Sequence, residues 1–355
     1  MEKNYQQQLE TILDLVYQNG ASDLHMSVGR HPFMRVNGAL NEVQNYPVLT
    51  ADDMIGMVTL LAGEEKAAEL VKLSEVDFAF NYGTKLRLRG NAYVQSGNIT
   101  LALRTIEKIR TLAELKVPES LLQFTRAKQG FFLVVGPVGV GKSTTLAAMI
   151  DSINNERREH IITIEHPIEY IHTQKQSIID QREVGLDTQS FHKALEAAFR
   201  EDANVILVGE MQTPETIATA VTAAETGHLV LSTLHTNSAA QTIDRIIDTF
   251  PPEQQNQVRA QLAATLLGVF SQRLIPSLKG GRVPAYELLI NTKAVATMIR
   301  ENRTHEIDTA IETGMEHGMI SINRSLIELV RAGEITIDDA KRYSTNPNGL
   351  EGLLE

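Results

Sequence analysis

The sequence predicts an α/β protein: a small α+β module, then a parallel-sheet core, then a set of C-terminal helices. Three observations carry that prediction. Four short and almost unbroken apolar runs, 131–135, 161–164, 205–208 and 229–233, alternate with helical patterns in the middle of the chain. Strands of that kind suit a parallel sheet covered on both faces. The first run leads straight into Gly136-Pro137-Val138-Gly139-Val140-Gly141-Lys142-Ser143, which satisfies G-x-x-x-x-G-K-[ST]. At 355 residues the chain also has length for more than one buried core.

Composition narrows the classes. The chain is 43% hydrophobic and 22% charged, the balance of a globular protein. No apolar run reaches the roughly 18 residues that span a bilayer, and the opening MEKNYQQQLE has no signal-peptide core. The expectation is a cytoplasmic protein without direct membrane insertion. Cysteine is absent, which excludes disulfides and thiolate metal sites. A net charge of −11 argues against a general nucleic-acid binder.

The elements follow in order. Residues 6–17 place Leu9, Ile12, Leu13, Leu15 and Val16 at helical spacing. A helix over 51–73 is expected behind Thr50 as N-cap, with Asp52 and Asp53 in its first turn. Period-2 runs at 76–80, 86–93 and 99–106 read as strands, the last two joined by a Gly97–Asn98 turn. This α+β module is expected to end near Arg110. Residues 112–128, with Pro118, read as a mostly helical connector. After the core strands, the chain beyond Pro276 is expected to be helical, most clearly at 296–300, 307–311 and 326–332. The expected domains are therefore 1–110, a connector 111–128, a core 129–290 and a helical region 291–355.

The loop after the first core strand has the context its chemistry requires. Behind it Leu146, Met149, Ile150 and Ile153 form the apolar stripe of a helix packed on the sheet. Glycines let backbone N–H groups turn inward on phosphates, and the helix N-terminus adds the positive end of its dipole. Gly136 through Ser143, with Thr144, thus form the expected ATP-phosphate cradle. Lys142 is expected to contact the β- and γ-phosphates and Ser143 to ligate Mg²⁺. Acidic partners are expected at the ends of neighbouring strands, where open α/β sheets bind ligands. Glu210 after 205–208 and Glu165 after 161–164 are the two candidates. His228 and His235 bracket the strand 229–233. One of them suits γ-phosphate sensing or a relay to a neighbouring subunit, whereas their separation of about 20 Å along an extended strand disfavours a shared metal.

These segments together resemble one family, the secretion-type hexameric ATPases, and within it the type IV pilus retraction motors. The likeness covers nearly the whole chain. Ala21-Ser22-Asp23-Leu24-His25 resembles the signature of the family's PAS-like N-terminal domain. Residues 136–143 match its Walker A, 161–170 (IITIEHPIEY) its acidic box, 206–211 (ILVGEM) its atypical Walker B and 224–238 (AETGHLVLSTLHTNS) its histidine box. Gln181-Arg182-Glu183-Val184-Gly185 and Arg200-Glu201-Asp202 look like retraction-motor segments. Ala296-Thr297-Met298-Ile299-Arg300-Glu301 loosely resembles the retraction-associated helix.

The resemblance implies a PAS-like domain followed by a RecA-like P-loop core, assembled as a ring of six that hydrolyses ATP with Mg²⁺ to power pilus retraction. It implies docking on the cytoplasmic face of an inner-membrane platform protein. Onto matching positions it carries Glu165 as the glutamate that polarises water, Glu210 as the Walker B acid acting on Mg²⁺ through water, and His228 and His235 as the histidine-box pair. Arg89 and Arg104 align with N-domain arginines that reach the γ-phosphate, with Arg87 as an alternative to Arg89.

The chain also departs from the pattern. His166 stands where Asp usually follows the glutamate, Gln212-Thr213 where Arg-Asp usually follow GEM, and Val138 and Val140 where Thr and Ser are common. Those changes motivate a second reading, a poorly hydrolysing regulatory subunit. A third, a pilus-assembly or type II secretion motor, is disfavoured because those relatives usually carry a tetracysteine module. A DNA translocase is disfavoured by the acidic balance.

Overall fold

Two sheets organise the chain, one antiparallel and one almost wholly parallel. A computed structural model describes residues 4–36, 38–83, 85–106 and 108–354, and the chain divides into two units, Met1–Lys108 and Ile109–Glu355.

In the first unit Asn4 caps helix α1 (Tyr5–Gln18), whose Leu9, Ile12, Leu13 and Val16 form the buried stripe. Strands β1 (Asp23–Ser27), β2 (Phe33–Val36) and β3 (Ala39–Glu42) follow. They are short, and β3 is exposed throughout, so no alternation marks it. Thr50 and Asp53 form a capping box at the start of α2 (Ala51–Ala62). The expected helix over 51–73 is in fact two. Gly63, at φ 85° and ψ 162°, ends α2, and α3 (Glu64–Leu73) starts at once with Glu64 and Glu65 in its first turn. Strands β4 (Glu75–Tyr82), β5 (Leu86–Gln95) and β6 (Asn98–Ile106) complete the sheet in the order β3-β2-β1-β6-β5-β4. The β5–β6 turn falls one residue earlier than expected, on Ser96 and Gly97 (φ 50° and 77°), the left-handed pair that tight hairpins favour. Ile12, Leu13, Met54, Met57, Leu88 and Leu101 are fully buried between helices and sheet. Each such side chain contributes about 1.5–3 kcal/mol by leaving water.

The second unit begins with little helix. Lys116 takes φ 56° and Pro118 is extended (ψ 139°), so the connector holds only a 3₁₀ turn at Glu119–Leu121 and α4 (Leu122–Thr125). The expected mostly helical segment 112–128 is thereby corrected: a proline pushes its predecessor out of the helical region. Then come β7 (Gly130–Val135), α5 (Lys142–Glu156), β8 (His160–Glu165), β9 (Ile178–Glu183), α6 (Phe191–Ala198), β10 (Val205–Val208), α7 (Pro214–Glu225), β11 (Leu229–Leu234), α8 (Ala239–Asp248) and α9 (Pro252–Thr265).

After α9 the chain adds two strands, β12 (Leu266–Pro276) and β13 (Arg282–Ile290), before α10 (Lys293–Arg300), α11 (Ile307–Thr313), α12 (Ile322–Arg331), α13 (Ile337–Tyr343) and α14 (Pro347–Leu354). The expectation of helix directly after Pro276 is corrected by this hairpin, turned on Gly280 and Gly281 at φ 93° and 70°. The sheet order is β13-β12-β7-β11-β10-β8-β9, parallel except for the edge strand β13. Side chains alternate between its faces. Phe131, Leu133 and Val135 pack with Leu195, Ile217 and Ile243 of α6, α7 and α8, while Phe132 and Val134 pack with Met149, Ile150 and Ile153 of α5. Because both faces are covered, groups that meet a ligand are expected at the strand ends.

Candidate active site

Gly136 leaves β7 at φ 144°, and a Cβ there would stand 2.4 Å from the backbone oxygen of Gln272, so only glycine fits. The loop then rises to Gly141, which is N-cap of α5 in the left-handed region and has no side-chain cap. The first N–H groups of a 15-residue helix therefore face the loop without a side-chain acceptor. Val138 is 84% exposed at the loop tip, whereas Val140 is buried beneath it. Ser143 is exposed and Thr144 half-buried on the first turn of α5.

Lys142 is buried and folds back over the loop. Its Nζ donates to Gly136 O at 2.8 Å and Pro137 O at 2.9 Å, and lies 3.3 Å from His235 Nδ1. Burial lowers the pKa of this ammonium, while Glu169 and Glu210 pull it back up. An ammonium can only donate, so His235 Nδ1 is the acceptor and the ring proton sits on Nε2. That nitrogen faces Glu210 Oε2 at 3.7 Å. One imidazole thus spans the loop lysine and the strand-end acid.

The strand ends bring these groups together. In the parallel register Val208 lies beside Ile164 and Ser232, and Leu234 beside Val135. Glu165, Glu210, His235 and Gly136 therefore leave the sheet at one edge. Gly209 permits this closeness: its N–H donates to Ile164 O at 2.7 Å, and a Cβ would meet Ile164 O and the Glu165 Cα at 3.2 and 3.3 Å. Thr233 Oγ1 donates to Gly209 O at 2.6 Å and fixes the turn from the other side. Burial pushes the Glu165 carboxyl up to about 7, against hydrogen bonds from Thr163 and Gln181 that favour its charge.

His228 is not brought to this cluster. It precedes β11, at the opposite edge of the sheet, where its Nδ1 lies 2.9 Å from Ala223 O and its ring meets Phe199 edge-on. Arg89 and Arg104 lie in the first unit, side by side across β5 and β6. Arg104 Nε binds Asp23 at 2.9 Å, yet its side chain stays 74% exposed. Arg87 is two residues from Arg89 and so shares its face; strand parity does not separate them, but Arg87 Nη1 is held by Asn81 at 2.8 Å.

The altered positions have local accounts. His166 is exposed with its Nδ1 3.1 Å from Val184 O. Thr213 is the N-cap of α7, accepting the Thr216 N–H. Gln212 is exposed. Sequence reasoning missed a supporting set. Thr144 Oγ1 and Tyr170 Oη are 2.8 Å apart, Thr145 donates to Gln272 Oε1 at 2.7 Å, and Gln272 Nε2 donates to Val140 O at 2.8 Å. Gln272 lies on β12, a strand that the sequence pattern does not mark. The Ser143 hydroxyl and Glu210 carboxylate are hard oxygen donors of the kind Mg²⁺ takes together with phosphate and water.

Residues 2–281 match the family model described as type II/IV secretion system protein. The chain is 43% identical over 332 residues to the type IV pilus retraction ATPase PilT of Pseudomonas aeruginosa, covering 93% of this chain and 96% of that one. It is 43% identical over 321 residues to a twitching motility protein of Neisseria gonorrhoeae, covering 90% and 86%. Its fold is similar to a crystal structure of the pilus retraction motor PilT with bound ADP, at TM-score 0.90 and 44% identity over 97% of this chain and 98% of that one. Among the described residues no helix is long and apolar enough to cross a membrane.

Proposed function

The chain belongs to the type II/IV secretion system protein family, and from that premise we propose that it is an ATP-hydrolysing motor that powers type IV pilus retraction as a ring of six. The observation that supports this best is the convergence of Lys142, Glu165, Glu210 and His235 at one sheet edge beside a glycine loop. In this reading the N-terminal module 1–110 is PAS-like, 111–128 connects it to a RecA-like core 129–290, and 291–355 forms the helical region. Docking is on an inner-membrane platform protein at the cytoplasmic face.

The backbone N–H groups of 139–144 bind the ATP phosphates. Lys142 exchanges the carbonyls of Gly136 and Pro137 for the β- and γ-phosphates, which restores the charge partner that burial withholds. Ser143, and Glu210 through water, would hold Mg²⁺, which would supply charge neutralisation at the phosphates. Glu165 accepts a proton from the attacking water, and a carboxyl poised near 7 suits that role. His235 reports to Glu210 whether Lys142 rests on the loop or on phosphate. Arg89 and Arg104 supply positive charge to the γ-phosphate, and His228 serves the neighbouring subunit. For these three the reading rests on the resemblance.

Phosphate release by the purified protein tests the proposal. Lys142→Ala is expected to abolish turnover and Glu210→Gln to slow it on the order of 100-fold. An unchanged rate in Glu210→Gln contradicts the motor and favours a regulatory nucleotide-binding subunit.

A further inference from the structure

Glu165 is the last residue of β8, where a carboxylate on a strand end is ordinarily free to swing. Here two side chains hold it. Thr163, two residues earlier on the same face, donates Oγ1–H to Oε1 at 2.7 Å. Gln181 stands beside Thr163 in the β8–β9 register and donates Nε2–H to the same oxygen at 3.2 Å. The Gln181 amide does more than that. Its Nε2 also donates to Tyr170 O at 2.8 Å, and its Oε1 accepts the His172 N–H at 2.9 Å. Since the His172 N–H only donates and Tyr170 O only accepts, the amide has one permitted orientation.

That single amide ties the carboxylate to the segment 166–172, which leaves Glu165 and carries Glu169 and Tyr170. The Tyr170 hydroxyl reaches Thr144 on α5 at 2.8 Å, two residues beyond Lys142. The Glu169 backbone N–H faces the Glu165 carboxylate, and the Glu169 charge acts on Lys142. A path of contacts therefore runs from the carboxylate through Gln181 and Tyr170 to the helix that follows the phosphate loop.

We propose that Gln181 is a positioning residue for hydrolysis: it aims the Glu165 carboxylate and locks the 166–172 loop that Tyr170 fastens to α5. The proposal rests on the reading of Glu165 as the group acting on water. It gives a task to the first residue of the Gln181–Gly185 segment, which the phosphate chemistry leaves without one. A Leu or Met at 181 keeps the bulk but leaves the His172 N–H and Tyr170 O unmatched. A Glu there sets a second carboxylate against Glu165 and loses both donated bonds.

The test is a double-mutant cycle on the full chain: wild type, Gln181→Met, Glu165→Gln and the double variant. Phosphate release gives kcat and KM, and a fluorescent ADP analogue gives nucleotide affinity. Gln181→Met is expected to lower kcat on the order of 10–100-fold through misplacement of the carboxylate. KM and ADP affinity should stay within about twofold, because the phosphate cradle is untouched. In the Glu165→Gln background the same change should cost less than about twofold, since the carboxylate it aims is gone. Losses that multiply instead overturn the aiming role. If Glu165→Gln slows turnover and Gln181→Met does not, the reading of Glu165 stands and this proposal alone fails. A wild-type rate in Glu165→Gln overturns both. Should Gln181→Met fail to fold, Gln181→Asn, with its amide one methylene short, is expected to show the same kcat loss, and a wild-type kcat in it overturns the proposal.

Discussion

The two sheets place their polar chemistry in different ways. In the antiparallel sheet of the first unit it lies across a face: Arg35, Asp23, Arg104 and Arg89 occupy one row of β2, β1, β6 and β5. In the parallel sheet of the second unit both faces are covered by helices, and Glu165, Glu210 and His235 stand at the strand ends. A face row is built from strand register, so its charges must settle with their neighbours. Asp23 shows this: burial opposes its charge, but hydrogen bonds from Arg104 and Ser22 hold its carboxyl below the usual range. An edge cluster is built where the strands end, so groups there can be held by neutral partners instead of an opposite charge in contact, and keep perturbed states. Lys142 and Glu165 are the examples.

Predictions that test this contrast run from large to small. Gly136→Ala should be the most damaging, because its Cβ would stand 2.4 Å from the Gln272 backbone oxygen of β12, which cannot turn aside as the Val140 side chain at 2.9 Å can. The expected cost is on the order of 2–4 kcal/mol, read by thermal unfolding, together with loss of ADP binding. An edge tolerant of this change would mean that the loop is not shaped by β12.

The second prediction concerns Glu287, which is 7% exposed on β13 and accepts the Ala239 N–H at the start of α8 at 2.8 Å. Burial raises its carboxyl to about 7 from 4.5, with Asp308 adding to the shift and Arg273 and the Ala239 N–H opposing it. Between those values the folded state keeps a proton that the unfolded chain has released. This share of stability is present in full below about pH 4.5 and is lost as pH rises through about 7. Glu165 contributes in the same direction. Glu287→Gln should reduce the fall of unfolding free energy between pH 5 and 8, read by denaturant unfolding, by about 1–3 kcal/mol. An unchanged slope would show that Glu287 is ionised in the folded chain at neutral pH.

The third prediction lies on the face row. Asp23→Asn leaves Arg104 and Arg35, on the strands either side of it, without their shared anion and should cost about 1 kcal/mol by denaturant unfolding. A cost as large as that of Gly136→Ala would erase the contrast between face and edge.

How much of this was legible in the sequence follows from the same contrast. β7, β8, β10 and β11 announce themselves as apolar runs because both faces are buried, and the loop at 136–143 is local in sequence. β1 and β2 are too short to show a period, and β3 is exposed on both faces. The break at Gly63 is marked in the sequence only by a single glycine followed by Glu64 and Glu65, the acidic first turn of α3. β12 was hidden because Ser271, Gln272 and Arg273 interrupt its apolar run, and two of those three are buried. The strand-end acids Glu165 and Glu210 were found by position alone. Gln181, Tyr170 and Gln272 were not, since their partners depend on strand neighbours and loop returns that no local pattern encodes. His228 and His235 looked equivalent in the sequence, yet a parallel strand sends its two ends to opposite edges.

The central claim is that nucleotide phosphates bind at the carboxyl edge of the parallel sheet, on the loop between β7 and α5. Hydrogen exchange of the backbone amides with and without saturating ADP measures this directly. Binding there predicts slowed exchange at residues 139–144, the amides left without a side-chain cap, with slowing also at 165–170. Unchanged exchange at 139–144 under saturating ADP would contradict it.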